Sequence, residues 1–152
     1  MKISEFLATT DVVSELTGSN SADVLAELCR PIAASTGLDS QALVESLLER
    51  ERLASTGIGD GVAIPHSRIS GLSELRACVG RSKTGIDFNA IDAKPSYLFI
   101  ALFAPATKPG IHLHALSRIS RIFRNPTLRF ALMQARDATE IYQLIEAEDA
   151  RA

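Results

Sequence analysis

Tyr97 to Ala104 is an unbroken apolar run, closed by Pro105. A strand built from it offers no polar face to water, so it has to lie centrally in a sheet with further layers on both sides. The run is far short of the ~18 residues that span a bilayer. The rest of the chain must supply partners and covers for this strand.

Helical periodicity supplies the covers. Ser21 reads as the N-cap of a segment that places Val24, Leu25, Leu28, Cys29 and Ile32 on one stripe, with Pro31 as a kink and Gly37 as the C-terminal stop. A second helix opens at Asp39 or Ser40 and buries Leu43, Val44, Leu47, Leu48 and Leu53, leaving Glu49-Arg50-Glu51-Arg52 exposed. A third, from Ile111 to Arg124, buries Leu113, Leu116, Ile119, Ser120 and Phe123. Asn125-Pro126 caps and starts a short helix from Thr127 to Gln134. Asp137-Ala138-Thr139-Glu140 resembles a capping box for a last helix that buries Ile141, Leu144 and Ile145.

Further strands are expected from Asp11 to Leu16, ahead of the turn Thr17-Gly18-Ser19-Asn20, and from Leu75 to Ser82. Thr84-Gly85 should then turn the chain, with Ile86-Asp87-Phe88 as a short edge piece. Ile3 to Leu7 makes a short helix or an N-terminal strap. With 152 residues and no internal repeat or linker, the expectation is one domain, 1–152, folded as a layered α/β sandwich.

A formal charge of −2 argues against general binding to nucleic acid or anionic membranes. Cys29 and Cys78 form no CxxC and sit in apolar contexts, which reads as free buried thiols in a reducing compartment. The N-terminus carries an early acid, Glu5, and no apolar h-region, so no signal peptide and a cytoplasmic location are expected.

Chemistry concentrates around His66. It follows the glycine-dense stretch Gly57-Ile58-Gly59-Asp60-Gly61 and the apolar run Val62-Ala63-Ile64-Pro65, which read as a tight loop and then a short buried strand. The glycines superficially match a phosphate-binding loop. That fingerprint needs a strand before and a helix after, and here the order is reversed. Their use is conformational, making room beside His66. Proline cannot donate to a sheet ladder, so the strand should end there and project the imidazole from its terminus.

The other two histidines, His112 and His114, open the helix after the central run, where free N–H groups and partial positive charge suit a phosphate. Arg50, Arg52 and Arg68 are the nearest counter-charges in sequence. A three-imidazole metal site is the rival. On a helix, however, positions i and i+2 point about 200° apart, so His112 and His114 cannot share a face. Arg118, Arg121 and Arg124, with Arg129 and Arg136 beyond, read as a solvated basic face or as a docking surface for an acidic protein.

Taken together, Ser55-Thr56-Gly57-Ile58-Gly59-Asp60-Gly61-Val62-Ala63-Ile64-Pro65-His66 resembles the active-site signature of enzyme IIA domains of the fructose/mannitol class in the bacterial phosphotransferase system, most like the nitrogen-regulatory branch. Arg50-Glu51-Arg52-Leu53 is similar to the family's RE(K/R)L segment, and Gly85 to Asp92 to its GIDFxAID-like turn. His112-Leu113 is similar to its second-histidine region.

The resemblance implies a mixed central sheet flanked by helices and a phosphocarrier that needs no metal or cofactor. His66 would accept a phosphoryl group on Nε2 from HPr or its nitrogen-branch paralogue, an NPr-like protein. His112 would assist and Arg50 would stand near the phosphoryl group, with Gly59 and Arg68 as further phosphate supports. His114 falls on a variable position and receives no role, and Asp60 would be mildly repulsive to a phosphate. Regulation would act through partners such as potassium-transport or sensor-kinase components. A sugar-specific enzyme IIA that passes phosphate to an EIIB cysteine, and a binding module that is never phosphorylated, are the alternatives.

Overall fold

The computed structural model describes all 152 residues. In chain order the elements are β1 (Val12–Val13), α1 (Ser21–Thr36), α2 (Ser40–Leu53), β2 (Gly57–Gly59), β3 (Val62–Ala63), β4 (His66–Ile69), β5 (Arg76–Ile86), β6 (Ser96–Pro105), α3 (Ile111–Phe123), α4 (Pro126–Gln134) and α5 (Ala138–Arg151). Six strands form one mixed sheet in the order β1-β5-β6-β3-β2, with β4 pairing on β6 beyond β3.

The apolar run is the centre of this sheet. β6 is antiparallel to β5 and parallel to β3 and β4. Its side chains alternate between two cores. Leu98, Ile100, Leu102 and Ala104 join the cluster under α3, α4 and α5, while Phe99, Ala101 and Phe103 join the cluster under α1 and α2. The three layers follow from a strand that has to be covered twice. No helix is long and apolar enough to cross a membrane.

The edges of the elements differ from expectation for local reasons. Asn20, not Ser21, caps α1, its side chain accepting the Asp23 N–H at 2.9 Å. Pro31 lies inside α1, which runs on to its left-handed C-cap at Gly37. The first strand is only Val12–Val13. Beyond it, the Arg81 guanidinium takes the Ser14 carbonyl and the Glu27 carboxylate takes the Thr17 and Gly18 N–H groups, so regular pairing stops, although the Leu16 N–H still reaches the Arg81 carbonyl at 2.9 Å. β5 continues through Thr84-Gly85 instead of turning there. Gly85, at φ +86°, absorbs a register irregularity between Arg81 and Ile86.

Two leucines expected in the core lie outside it. Leu53 is 82% exposed in the last turn of α2, and Leu113 is 61% exposed. The buried residues of α3 are Ala115, Ile119, Ile122 and Phe123, a stripe rotated away from Leu113 and Ser120. Ile3 is fully buried in the N-terminal strap, and its N–H reaches the buried Asp149 carboxylate at 2.7 Å. Cys29 and Cys78 are buried and free, and burial pushes the Cys29 thiol up to about 12.

Candidate functional site

The glycine stretch is a hairpin, not a loop. Gly59 pairs with Val62, so only Asp60 and Gly61 turn, at φ +56° and +76°. Positive φ at both central residues is the requirement of the tight turn that Asp-Gly favours. Gly57 has a different task. A Cβ there would lie 2.9 Å from Ala90, so glycine lets the β5–β6 connection close over the hairpin. That connection is fastened by the Ser55 hydroxyl donating to the Phe88 carbonyl at 2.6 Å and by the Ile91 N–H donating to the Gly57 carbonyl at 3.0 Å. The space the glycines provide goes to this connection rather than to His66.

Pro65 interrupts the ladder without ending it. Val62 and Ala63 pair with Leu98 and Phe99; after the break, His66 to Ile69 pair with Leu102 to Pro105 on the same edge of β6. His66 is therefore the first residue of β4, not the last of β3. In the gap, the Ile64 N–H turns back to the Thr56 carbonyl at 3.0 Å. His66 Nδ1 lies 2.8 Å from the Ile64 carbonyl oxygen. A carbonyl only accepts, so Nδ1 carries the ring proton and Nε2 keeps its lone pair. Burial holds the His66 pKa below the ordinary histidine range; the Ile64 hydrogen bond opposes this, and the nearby Arg50 and His112 reinforce it. The neutral ring is the favoured form.

His66 lines a cleft of about 470 Å³ with Ser46, Glu49, Arg50, Leu53, Ser67, Arg68 and His112. Arg50 donates one N–H to the Ala54 carbonyl at 2.9 Å, which anchors it over the end of α2. His112 is the second residue of α3, whose N-cap Gly110 makes no side-chain cap, so the positive end of that helix reaches the cleft. The Nδ1 of His112 is buried without a hydrogen-bond partner. Glu49 brings the one carboxylate of the cleft.

The structure thus brings together four of the residues picked from sequence: His66, His112, Arg50 and Arg68. It does not bring Gly59, which lines a separate hollow with Ile58, Asp60, Val62, Ser120, Phe123 and Arg124. Asp60 belongs to that hollow too, its N–H held by Asp92 at 3.1 Å. Arg52 and His114 are exposed and line neither cavity, and His112 and His114 diverge as helical spacing requires.

The basic stripe is broken up. Arg118 is tied to Asp149 at 2.5 Å, Arg129 caps α3 through the Phe123 and Arg124 carbonyls, and Arg136 pairs with Glu140. Arg121 and Arg124 remain exposed.

Sequence reasoning passed over the supporting shell. Ser46 on α2 and Ser67 on β4 share a hydroxyl–hydroxyl hydrogen bond across the cleft floor. The Glu51 carboxylate accepts both the N–H of Thr56, at 3.1 Å, and its hydroxyl. Burial pushes the Glu51 carboxyl above the usual range, and those two hydrogen bonds draw it back. Glu51 and Thr56 were visible only as members of motif segments, because neither follows a helical or strand periodicity.

A sheet-edge imidazole, neutral and fixed through one nitrogen, faced by guanidinium and a helix start, defines a site built for an anionic group. Residues 5–148 match the family model described as the EIIA 2 component of the phosphoenolpyruvate-dependent sugar phosphotransferase system, and the chain belongs to that family. It is a phosphotransferase-system component of the fructose/mannitol class.

Among relatives, it is 34% identical over 152 residues to the nitrogen regulatory protein of Bradyrhizobium diazoefficiens, covering 100% of this chain and 99% of that one. Identity to the nitrogen regulatory protein of Escherichia coli is 38% over 126 residues, 81% of this chain and 74% of that one. The fructose-specific EIIABC component of Bacillus subtilis is 32% identical over 150 residues, 98% of this chain but only 24% of that much longer protein. The crystal structure of nitrogen regulatory protein IIA-Ntr from Neisseria meningitidis superimposes with a TM-score of 0.88 at 30% identity, covering 94% of this chain and 98% of that one. The mannitol IIA of Escherichia coli shares the fold, at 13% identity and a TM-score of 0.77.

Proposed function

We propose that this chain is a phosphohistidine carrier in which His66 Nε2 accepts a phosphoryl group from an HPr-type or NPr-like donor, and that its phosphorylation state regulates other proteins. The observation that carries the reading is the Nδ1–H···O=C hydrogen bond from His66 to Ile64, which leaves Nε2 as the only nucleophilic nitrogen of a ring that lines an open cleft. In the transfer, the Nε2 lone pair forms a new N–P bond as the donor's N–P bond breaks, and that electron pair returns to the donor imidazole. The Nδ1 proton stays in place, so this chain need supply no general base. What it supplies is position and countercharge. Arg50, Arg68 and the start of α3 line the same cleft as His66, which supports their receiving the transferred oxygens, with His112 assisting from the helix end.

The full-length likeness to nitrogen regulatory proteins favours regulation in the cytoplasm over transport. The fructose-specific relative keeps the second reading open: onward transfer from His66 to the cysteine of an EIIB protein. Incubation with enzyme I, HPr and phosphoenolpyruvate, followed by intact-mass and acid-lability measurements, tests the carrier. A gain of one phosphoryl group that acid removes, and that His66→Ala abolishes, supports it. No gain would leave a binding module that never carries phosphate. Adding an EIIB protein to the phosphorylated form then separates transport from regulation by whether the label moves.

A further inference from the structure

The hydrogen bonds behind His66 form one continuous run from α2 to the imidazole. The Glu51 carboxylate accepts the N–H and hydroxyl of Thr56; the Thr56 carbonyl accepts the Ile64 N–H at 3.0 Å; the Ile64 carbonyl accepts Nδ1–H of His66 at 2.8 Å. Pro65 has no N–H to give to β6, although its carbonyl still accepts the Leu102 N–H at 2.9 Å. Ile64 faces the opposite edge, where its N–H extends the β2–β3 pairing by one residue to Thr56. Thr56, 5% exposed, begins a hairpin that is itself fixed at its base by Glu51.

From this run we infer that Glu51 is a positioning residue for His66: through Thr56 and Ile64 it sets which imidazole nitrogen carries the proton and so which one is free to take phosphate. The inference deepens the phosphocarrier reading and rests on it only for its consequence in transfer. Arg50 and Glu51 are neighbours on α2, so the helix end that aims a guanidinium into the cleft also anchors the opposite side of the ring. A displaced Ile64 carbonyl would release Nδ1–H. The ring would then populate the Nε2–H tautomer, in which the nitrogen facing the cleft is a donor and cannot attack.

The test reads the tautomer directly. Long-range 1H–15N correlation spectra of the imidazole rings distinguish Nδ1–H from Nε2–H, and need no phosphate donor. Wild type should show His66 as Nδ1–H. Glu51→Ala should shift it measurably toward Nε2–H and slow phosphorylation about tenfold, the scale of one lost hydrogen bond. Glu51→Gln should restore both, because its amide oxygen accepts the Thr56 N–H while its amide group donates to the Thr56 hydroxyl.

A folded Glu51→Ala protein with lowered Tm but an unchanged His66 tautomer and rate would overturn the inference, leaving Glu51 a merely structural anchor. Should that variant not fold, Thr56→Val decides by the same readouts: it keeps the side chain's shape and removes one of the two donors. An unshifted tautomer there also overturns the role. Failure of wild type to accept phosphate would sink the carrier reading alone, since the tautomer spectra stand without it.

Discussion

Arg81 and Arg50 carry the same guanidinium at two places in one molecule, and the protein uses them in opposite ways. Arg81 is 2% exposed, and its nitrogens are committed to the carbonyls of Ser14, Leu132 and Ala135, fastening β1 and the end of α4 to the sheet. Arg50 gives one N–H to the Ala54 carbonyl and lines the His66 cleft with the rest of its fork. The same division separates the two buried-polar regions as a whole. Around Asp149 and Arg118 the polar groups close on one another and on Ile3. Around His66 the Nε2 lone pair and the exposed Arg68 side chain are left without protein partners, and the His112 Nδ1 is buried without one. Buried polar groups are ordinarily satisfied, so the uncommitted His112 Nδ1 beside an open cleft marks where another molecule is expected.

The sharpest break of that comparison is at the proposed nucleophile. His66→Ala should abolish phosphoryl acceptance altogether while leaving the thermal transition close to wild type, because only one side-chain hydrogen bond is lost. Phosphorylation by enzyme I and HPr, read by intact mass, checks the first half, and calorimetry the second. Arg81→Met should do the reverse. It strands three carbonyls in the interior, two of them in its link to the end of α4, at about 2–4 kcal/mol of stability. Whatever fraction folds should accept phosphate at the wild-type rate. If Arg81→Met instead impaired transfer in fully folded protein, the division between structural and functional guanidinium would not hold.

Arg50→Ala comes next in size. If its free N–H groups receive the phosphoryl oxygens, its removal should weaken the phosphorylated form by about 1.5–3 kcal/mol, seen as a shift in the phosphoryl equilibrium with the donor. The effect on unfolding should stay below ~1 kcal/mol, since a single partly exposed carbonyl bond is lost. An unchanged equilibrium would assign the phosphate to Arg68. His112→Ala should act more weakly, slowing transfer several-fold without unfolding α3, because a helix-start side chain supports a charge that the helix dipole already favours. Stopped-flow phosphorylation of that variant at wild-type speed would remove His112 from the site.

What the sequence made legible divides along the same line. The central strand could be read because eight apolar residues leave only one place in a layered sheet, and both core clusters follow from its alternation. His66, Arg50, Arg68 and His112 could be picked as residues, yet their convergence depends on β4 and α3 both starting at the same end of β6, which no local pattern encodes. Gly59 was misplaced for a related reason. A glycine's sequence neighbours say that the backbone needs freedom, not what approaches it, and here that is the β5–β6 connection. Leu113 and Leu53 were misread because helical spacing fixes a stripe only up to a rotation, and the sheet chose a different face of α3. Asp149 and Arg81 left no signal, and Glu51 showed only as a member of a motif segment. Their partners lie on other elements, apart from Thr56 five residues after Glu51.

The smallest predicted effect is the most direct reading of the His66 environment. Burial, reinforced by Arg50 and His112, disfavours the imidazolium in the folded state, so the ring should titrate below the ordinary value of about 6.5. A base whose folded-state pKa is depressed contributes stability that is complete above its unfolded value, and this declines as pH falls from there toward the folded midpoint, because the unfolded chain then binds more protons. The proposed acceptor should accordingly stay neutral, and competent, into mildly acidic solution. NMR titration of the His66 ring checks that midpoint directly. Replacing Arg50 by Ala should raise the His66 midpoint, but only slightly, since burial is the leading cause and the guanidinium a lesser one. A His66 midpoint at or above that ordinary value would mean that the cleft stabilises the protonated ring, and a protonated ring has no lone pair left to receive phosphate.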